Sequence, residues 1–257
     1  MNRALSLVVT TRNNAATIGK CIQSVPFADE VLILDSFSTD KTLELAQSFG
    51  ARCVQEPFRG YGPQKQRAID LANHDWVLLL DADEAVDQPL AEAMRRVLQS
   101  PEGPNAYRLR REEWLYWQWP RPGTRLTDHL RLFDRRFVRL GDHPVHAAPE
   151  LIAGASGRAC PLLAGRLRHF GHAGLGGQID RINHYTSASL EGPEQPAPRL
   201  PRTRMILSPP AAFIREYVFR RQFLNGWAGF IAARMAAWHA FLRHAKRLEH
   251  LKRDNSQ

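Results

Sequence analysis

Cysteine is scarce. Three thiols, Cys21, Cys53 and Cys160, are spread over 257 residues. With no C-x-x-C pair and no thiol–histidine spacing, they exclude a small disulfide scaffold and a structural zinc module, and they read as reduced, buried thiols of a cytosolic protein. Long apolar runs are also missing. The nearest approach, Leu224 to Phe241, is interrupted by Arg234, so no membrane-spanning helix is expected. The opening MNRALSLVVTTRNN turns polar too early for a signal peptide. Two phosphate cradles are absent: no G-x-G-x-x-G follows the first apolar run, and no G-x-x-x-x-G-K-[ST] occurs anywhere. No RNP, KH or zinc-finger pattern supports nucleic-acid binding.

What remains is the composition of a folded chain. Apolar residues make up 44% and charged residues 24%, which excludes a disordered or collagen-like protein. The length suits one large domain, or one domain with an appendage. The net charge of +9 is unevenly placed: residues 1–100 hold 10 basic and 13 acidic side chains, whereas Arg199 to Gln257 holds 12 and 3. So basic a tail suits a polyanion, either nucleic acid or an anionic membrane surface.

The first hundred residues alternate apolar, β-branched runs with helical periodicity. Strands are predicted at Leu5–Thr10, Val31–Leu34, Ala51–Val54 and Trp76–Leu80. Helices are predicted over Ala15–Val25, Thr39–Phe49 (capped by Ser38 or Thr39), Gln64–Ala72 and Pro89–Leu98. This order predicts an α/β fold: a mainly parallel sheet with helices on both faces, binding ligands beyond the carboxyl ends of its strands. The polar residues collect at those ends, with Thr10, Thr11, Arg12 and Asn13 after the first strand, Asp35 after the second, and Asp81 and Asp83 after the fourth. Alternation along an extended segment turns Asp81 and Asp83 to one side. Carboxylates that close repel unless a cation compensates. Mg2+ or Mn2+ accepts one or two carboxylates while keeping sites for substrate phosphate oxygens.

The segments SLVVTTRNNAATIGKCIQSVPFADEVLILDSFSTDKTLELA, GYGPQKQRAI and DWVLLLDADE resemble glycosyltransferase family 2, whose members have an inverting, Rossmann-like GT-A fold. Within it they are similar to the WaaE/LgtF-type β-1,4-glucosyltransferases of the lipopolysaccharide inner core. The likeness continues through WPRPGTRLTDHLRLFDRR, His169-Phe170, INHYTSAS and FLNGWAGFIAARMAAWHAF, over nearly the whole chain. It implies a UDP-sugar donor, with glucose the expected sugar, and a divalent metal. By this resemblance Thr10 and Asn13 line the nucleotide pocket, Asp35 bonds the uracil, and Lys65 approaches the base or the phosphates. Asp81 holds the ribose beside the metal, Asp83 binds the metal, and His169 supplies a further metal or phosphate contact. An acceptor hydroxyl then attacks from the opposite face, and a carboxylate takes its proton. The family's V-H-E reads Val145-His146-Ala147 here, which leaves Asp142, Asp128 and Glu150, in that order, as candidate bases. Two further departures, Asn13-Asn14 and Gln66-Arg67, fall where donor contacts are expected.

Three regions are expected: a catalytic domain over 1–190, a linker over 191–210 carrying six prolines, and basic amphipathic helices over 211–257. The resemblance supplies a lipid-linked saccharide acceptor, and tryptophan-rich basic helices suit anionic lipid. The chain is therefore expected at the cytoplasmic face of a bacterial inner membrane, peripherally attached through its last helices. Trp114, Tyr116, Trp117 and Trp119 sit between Arg110-Arg111 and Arg121, either stacking on acceptor sugars or packing as a cover. Two other functions compete: a nucleotidyltransferase, and a catalytically decayed module that binds membrane or nucleic acid.

Overall fold

Apolar runs that alternate in their packing partners build the first half of the sheet. The computed structural model describes residues 3–100, 102–140, 148–152, 160–171, 174–188, 190 and 201–254. Four parallel strands, β1 (Leu5–Thr11), β2 (Glu30–Asp35), β3 (Arg52–Gln55) and β4 (Trp76–Asp81), lie in the order β3-β2-β1-β4. Leu5, Leu7, Val9, Ile33 and Leu80 pack with Ile18 and Ile22 of α1 (Ile18–Gln23), Ala46 of α2 (Thr42–Ser48) and Leu90 and Met94 of α4 (Gln88–Gln99). Val8, Leu32, Leu34 and Leu79 turn the other way, onto Ala68 and Ile69 of α3 (Tyr61–Leu71). Helices thus cover both faces, as buried parallel strands require.

Two helix starts show how local chemistry sets the boundaries. Asp87 caps α4 by accepting from Leu90 N at 3.0 Å, with Pro89 in the first turn. In contrast, α2 begins at Thr42, where Asp40 accepts from the backbone N at 3.0 Å, rather than at a Ser38 or Thr39 cap. Ser38 is engaged elsewhere, by Asp35.

Beyond β4 the sheet becomes antiparallel, which the sequence pattern did not predict. β5 (Glu84–Val86), β6 (Ala106–Glu113), β7 (Thr127–Asp134) and β10 (Leu167–His169) complete the order β3-β2-β1-β4-β7-β6-β10-β5, while β8 (Val138–Leu140) and β9 (Pro149–Leu151) form a separate pair. The parallel strands end in register: Thr10 lies beside Asp81, Thr11 beside Asp35, and Asp35 beside Gln55.

The chain divides into two units, Met1–Glu112 with Thr127–Gly171, and Glu113–Leu126 with His172–Gln257. The expected boundaries differ in two ways. Residues 113–126, placed by sequence in the catalytic region, belong with the helices, as does α5 (Gly174–Ala188). Residues 201–210, expected in the linker, are helical: α6 spans Pro201–Ile214 with Pro209 and Pro210 inside it, while 191–200 lie outside the described residues. Pro201 is tolerated because a first-turn N–H has no intrahelical partner. The later prolines are carried by packing of α6 on α7 (Gly226–Asp254). A Cβ at Gly229 would overlap the Gln222 carbonyl, so glycine permits the chain to approach closely at the start of α7. Among the described residues no helix is long and apolar enough to cross a membrane.

Candidate active site

Three acidic residues follow the buried core of β4, and a basic side chain from another element meets each of them. Lys65 of α3 pairs with Asp81 Oδ1. Arg131 of β7 donates from Nη2 to Asp81 Oδ2 at 2.9 Å and to Glu84 Oε1 at 3.1 Å. Arg111, near the end of β6, places Nε 3.2 Å from the same Glu84 oxygen. Its Nη2 lies 2.8 Å from His169 Nδ1, and His169 Nε2 lies 3.1 Å from Asp83 Oδ2.

The topology explains this convergence. β10 pairs with β5 so that His169 stands opposite Glu84. Between β6 and β7 the register slips: Tyr107 faces Leu132 but Arg108 faces Leu130, which leaves Arg131 as the extra residue of a bulge. Bulges re-aim side chains, and here the guanidinium turns toward the acidic turn. Phe170 N donates to the Asp83 carbonyl at 2.8 Å, and the Lys20 ammonium rests 4.1 Å over the Phe170 ring. Gly171 closes the pocket. A Cβ there would stand 2.5 Å from Asp83 Oδ2 and closer still to His169 Cε1 and Nε2.

Burial alone would raise the pKa of Asp81, but Lys65 and Arg131 outweigh it and hold the carboxyl well below the ordinary range. Asp83 is lowered too: burial opposes ionisation, and the His169 hydrogen bond more than offsets it. Cys21, whose Sγ lies 3.7 Å from the Asp81 carbonyl oxygen, is pushed well above the usual thiol range by burial and by Glu84 and Asp81. It is an inert packing thiol. A guanidinium only donates, so His169 Nδ1 is the acceptor and the imidazole proton sits on Nε2, facing Asp83.

The structure brings Lys65, Asp81, Asp83 and His169 together. Asp35, expected at the nucleotide, ends β2. This carboxylate is fully buried: Oδ2 accepts from Ser38 N at 2.8 Å and Gln55 Nε2 at 3.1 Å, and Oδ1 accepts from Ser38 Oγ. These contacts order the loop that follows β2. Asn13, exposed at φ +57°, accepts from Thr39 N at 2.8 Å and ties the two loops together, while Thr10 is partly exposed beside Asp81. Among the candidate bases, Asp128 is exposed at the start of β7, where Arg110 donates to it at 2.9 and 3.3 Å. Glu150 is exposed on β9 opposite Arg139, and Asp142 lies outside the described residues. In the second unit Trp114 packs edge-on against Trp119 with centroids 5.0 Å apart, whereas Trp117 is exposed.

Sequence reasoning missed Glu84, Arg111, Arg131 and Gly171. One signal was available. Arg131 interrupts the apolar Leu130-Arg-Leu-Phe133, and a charge in a buried strand requires a partner.

No group of three or more His, Cys, Asp or Glu side chains gathers as a metal cage among the described residues. The donor set still fits a hard divalent cation held through Asp83 that takes its other ligands from phosphate oxygens. Asp81, expected as a ligand, has both oxygens engaged by Lys65 and Arg131. His169, also expected as a ligand, presents an N–H toward Asp83 in this arrangement. It joins a metal only when that proton leaves Nε2.

The model of the family described as glycosyl transferase family 2 matches residues 6–148. The lipopolysaccharide core biosynthesis glycosyltransferase LpsC of Rhizobium meliloti is 33% identical over 251 residues, covering 94% of this chain and 91% of that protein. An uncharacterized glycosyltransferase of Rickettsia prowazekii is 27% identical over 257 residues, covering 95% and 86%. Among solved structures, glucosyl-3-phosphoglycerate synthase from Mycobacterium tuberculosis, in complex with Mn2+, uridine-diphosphate and phosphoglyceric acid, is 28% identical. It covers 44% of this chain and 43% of that one, with a TM-score of 0.35.

Proposed function

The chain belongs to glycosyl transferase family 2, and from that premise we propose that it moves a sugar, glucose by the sequence likeness, from a UDP-sugar to a lipid-linked saccharide of the lipopolysaccharide core, with inversion. The observation that carries the reading is the charge-matched acidic edge of β4, with Asp83 partly exposed beside His169 and Asp81 braced by Lys65 and Arg131. So complete a set of pairings disfavours a decayed module, and nothing in the site favours nucleotidyl transfer. The similarity to LpsC, named for lipopolysaccharide core biosynthesis, supports the acceptor class.

Mg2+ or Mn2+, when bound, offsets the charge that grows on the departing diphosphate. Asp83 is the residue that would hold it. Lys65, long and only partly buried, exchanges its Asp81 contact for a phosphate oxygen. Arg131 and Glu84 fix Asp81, which reaches the ribose. Thr10 and Asn13 stand at the nucleotide side, on loops that Asp35 orders. The acceptor proton goes to a carboxylate. We favour Asp128, because β7 begins at the sheet edge where β4 ends, whereas Glu150 sits in the separate β8–β9 pair. The basic helical unit attaches the enzyme peripherally to the cytoplasmic face of the membrane that carries its acceptor.

A thermal-shift panel of nucleotide sugars with and without Mn2+ tests the core of this reading. One UDP-sugar should stabilise the protein only when the metal is present, and Asp83→Asn should abolish that shift. Equal shifts in both proteins would remove Asp83 from the donor site.

A further inference from the structure

The bend that joins α6 to α7 exposes apolar side chains that the helical unit does not cover. Within fourteen residues of chain, Ile214 is 49% exposed, Val218 50%, Phe219 64%, Phe223 47% and Trp227 75%. The half-buried aromatics of the same bend do pack: Phe213 stacks on Tyr217 at 5.2 Å, and Phe230, at 36% exposure, meets both edge-on. The outward set is therefore not a by-product of poor packing. Its geometry is a knuckle, formed as α6 passes into a π-helical turn over Arg215–Phe219 and the chain reverses through Arg221 at φ +58° and Gly226 at φ +56°.

Charge selects the occupant. Between residues 201 and 227 there are five arginines and a single acid, Glu216, which pairs with Arg215 at 3.2 Å and Arg220 at 3.5 Å. Arg215, Arg220 and Arg221 are exposed among the apolar side chains. An apolar patch rimmed by arginines matches an interface whose interior is hydrocarbon and whose edge carries phosphate.

We infer that this knuckle is a lipid-surface anchor, in which Ile214, Val218, Phe219, Phe223 and Trp227 enter the acyl boundary while Arg215, Arg220 and Arg221 take anionic head groups. The inference rests on the proposed lipid-linked acceptor and narrows the contact from the whole basic tail to one bend. The anchor is also bolted to the aromatic loop 113–126. Asn225, only 2% exposed, accepts from Arg121 N at 2.7 Å and donates to Thr124 Oγ1 at 3.1 Å, and its carbonyl accepts from Gln118 Nε2 at 3.3 Å. Arg125 N donates to the Arg220 carbonyl at 3.1 Å. Exposed Trp117 therefore shares a mounting with the anchor.

Flotation of the full-length protein with phosphatidylcholine vesicles, with and without phosphatidylglycerol, tests the inference. Phe219→Ser and Trp227→Ser should each weaken vesicle binding roughly tenfold. Arg220→Gln with Arg221→Gln should remove the preference for anionic vesicles. The helical circular-dichroism signal and the UDP-sugar thermal shift should stay at wild-type levels in all of these variants. Undiminished flotation of the Phe219/Trp227 double variant would overturn the anchor, as would self-association of the wild type that this double variant abolishes. Loss of the UDP-sugar shift in the wild type itself would count against the proposed reaction and leave the vesicle result standing. Asn225→Ala should float normally while tryptic cleavage after Arg125 accelerates, and an unchanged cleavage rate would refute the coupling to the loop.

Discussion

Gly171→Ala isolates the geometry of the Asp83–His169 pair from every other variable. Gly171 is buried and its φ lies outside the left-handed region, so alanine meets no backbone penalty there and even restricts the unfolded chain slightly. The whole effect is steric. The new methyl would stand 2.5 Å from Asp83 Oδ2 and nearer to the His169 ring, against about 3.5–4.0 Å for ordinary contact. Something must retreat by roughly 1 Å. Phe170 is held by the Asp83 carbonyl and by Lys20, and the His169 side chain is 6% exposed, so the displacement falls on the 3.1 Å hydrogen bond between Nε2 and Asp83. Lengthened by that amount, it no longer exists. Overpacking costs about 1–3 kcal/mol, a fall of a few degrees in Tm. A reacting geometry misplaced by about 1 Å costs on the order of 100-fold in rate. Sugar transfer should therefore drop by about two orders of magnitude in a protein that melts only slightly early. Calorimetric titration of UDP in the presence of Mn2+ should weaken in parallel. Wild-type transfer and wild-type UDP affinity in a folded Gly171→Ala would refute this account of the pocket.

Three other outcomes follow from the same cluster and its surroundings. Arg131→Met strands Glu84 and Asp81 without their buried cation and should cost about 3–5 kcal/mol in urea unfolding, part of which Glu84→Gln restores in the double variant. Lys65→Met frees Asp81 Oδ1 and leaves Arg131 as the cation beside that carboxylate, so Mn2+ alone should bind more tightly by calorimetry while the KM for the UDP-sugar rises. Glu30 is lowered because the hydrogen bonds from Ser6, Asn73 N and Arg52 outweigh its burial. Its stabilisation is present above the unfolded glutamate pKa of about 4.3 and is lost as pH falls through the depressed value, so Glu30→Gln should flatten the acid limb of a Tm-against-pH curve.

The parallel half of the fold was legible because β1, β2 and β4 are buried on both faces and so read as unbroken apolar runs. The antiparallel half was not. β6 spells AYRLRREE, five charges in eight residues, and β5 and β10 are three residues each, too short for any periodicity. Arg111 and Arg131 belong to that half, so four of the cluster's six pairings were hidden with it. Asp81 and Asp83 were found because they end a strand with a clear pattern, whereas Lys65 was reached by family likeness. His169 was reached only by family likeness, since a β5–β10 pairing joins residues that no local signal connects. Asp35 was placed at its strand end, but its contacts were not legible, because a sequence does not say whether a carboxylate turns outward or back onto its own loop, as it does here toward Ser38 and Gln55. The helical Pro209 and Pro210 were misread for a related reason: proline reports a local preference that packing against α7 overrides.

The balance of charge in the cluster constrains the chemistry further. Asp81, Asp83 and Glu84 face Lys65, Arg111 and Arg131, three carboxylates against three cations, so the charges of these six side chains balance. A buried charge is tolerated only while paired. A lone divalent cation would upset that balance and a lone diphosphate would upset it in the opposite sense, whereas the two together exchange partners with Asp83 and Lys65 at little net cost. Donor and metal should therefore load cooperatively. The contacts of the two aspartates also weigh against a second task. A carboxylate held below its ordinary range is a weak proton acceptor, which disfavours Asp81 and Asp83 as the general base. On the proposed reading the acceptor proton leaves by a carboxylate outside this cluster, and replacing Asp128, at the same edge of the sheet and paired with half-buried Arg110, by asparagine should abolish transfer while leaving donor binding intact.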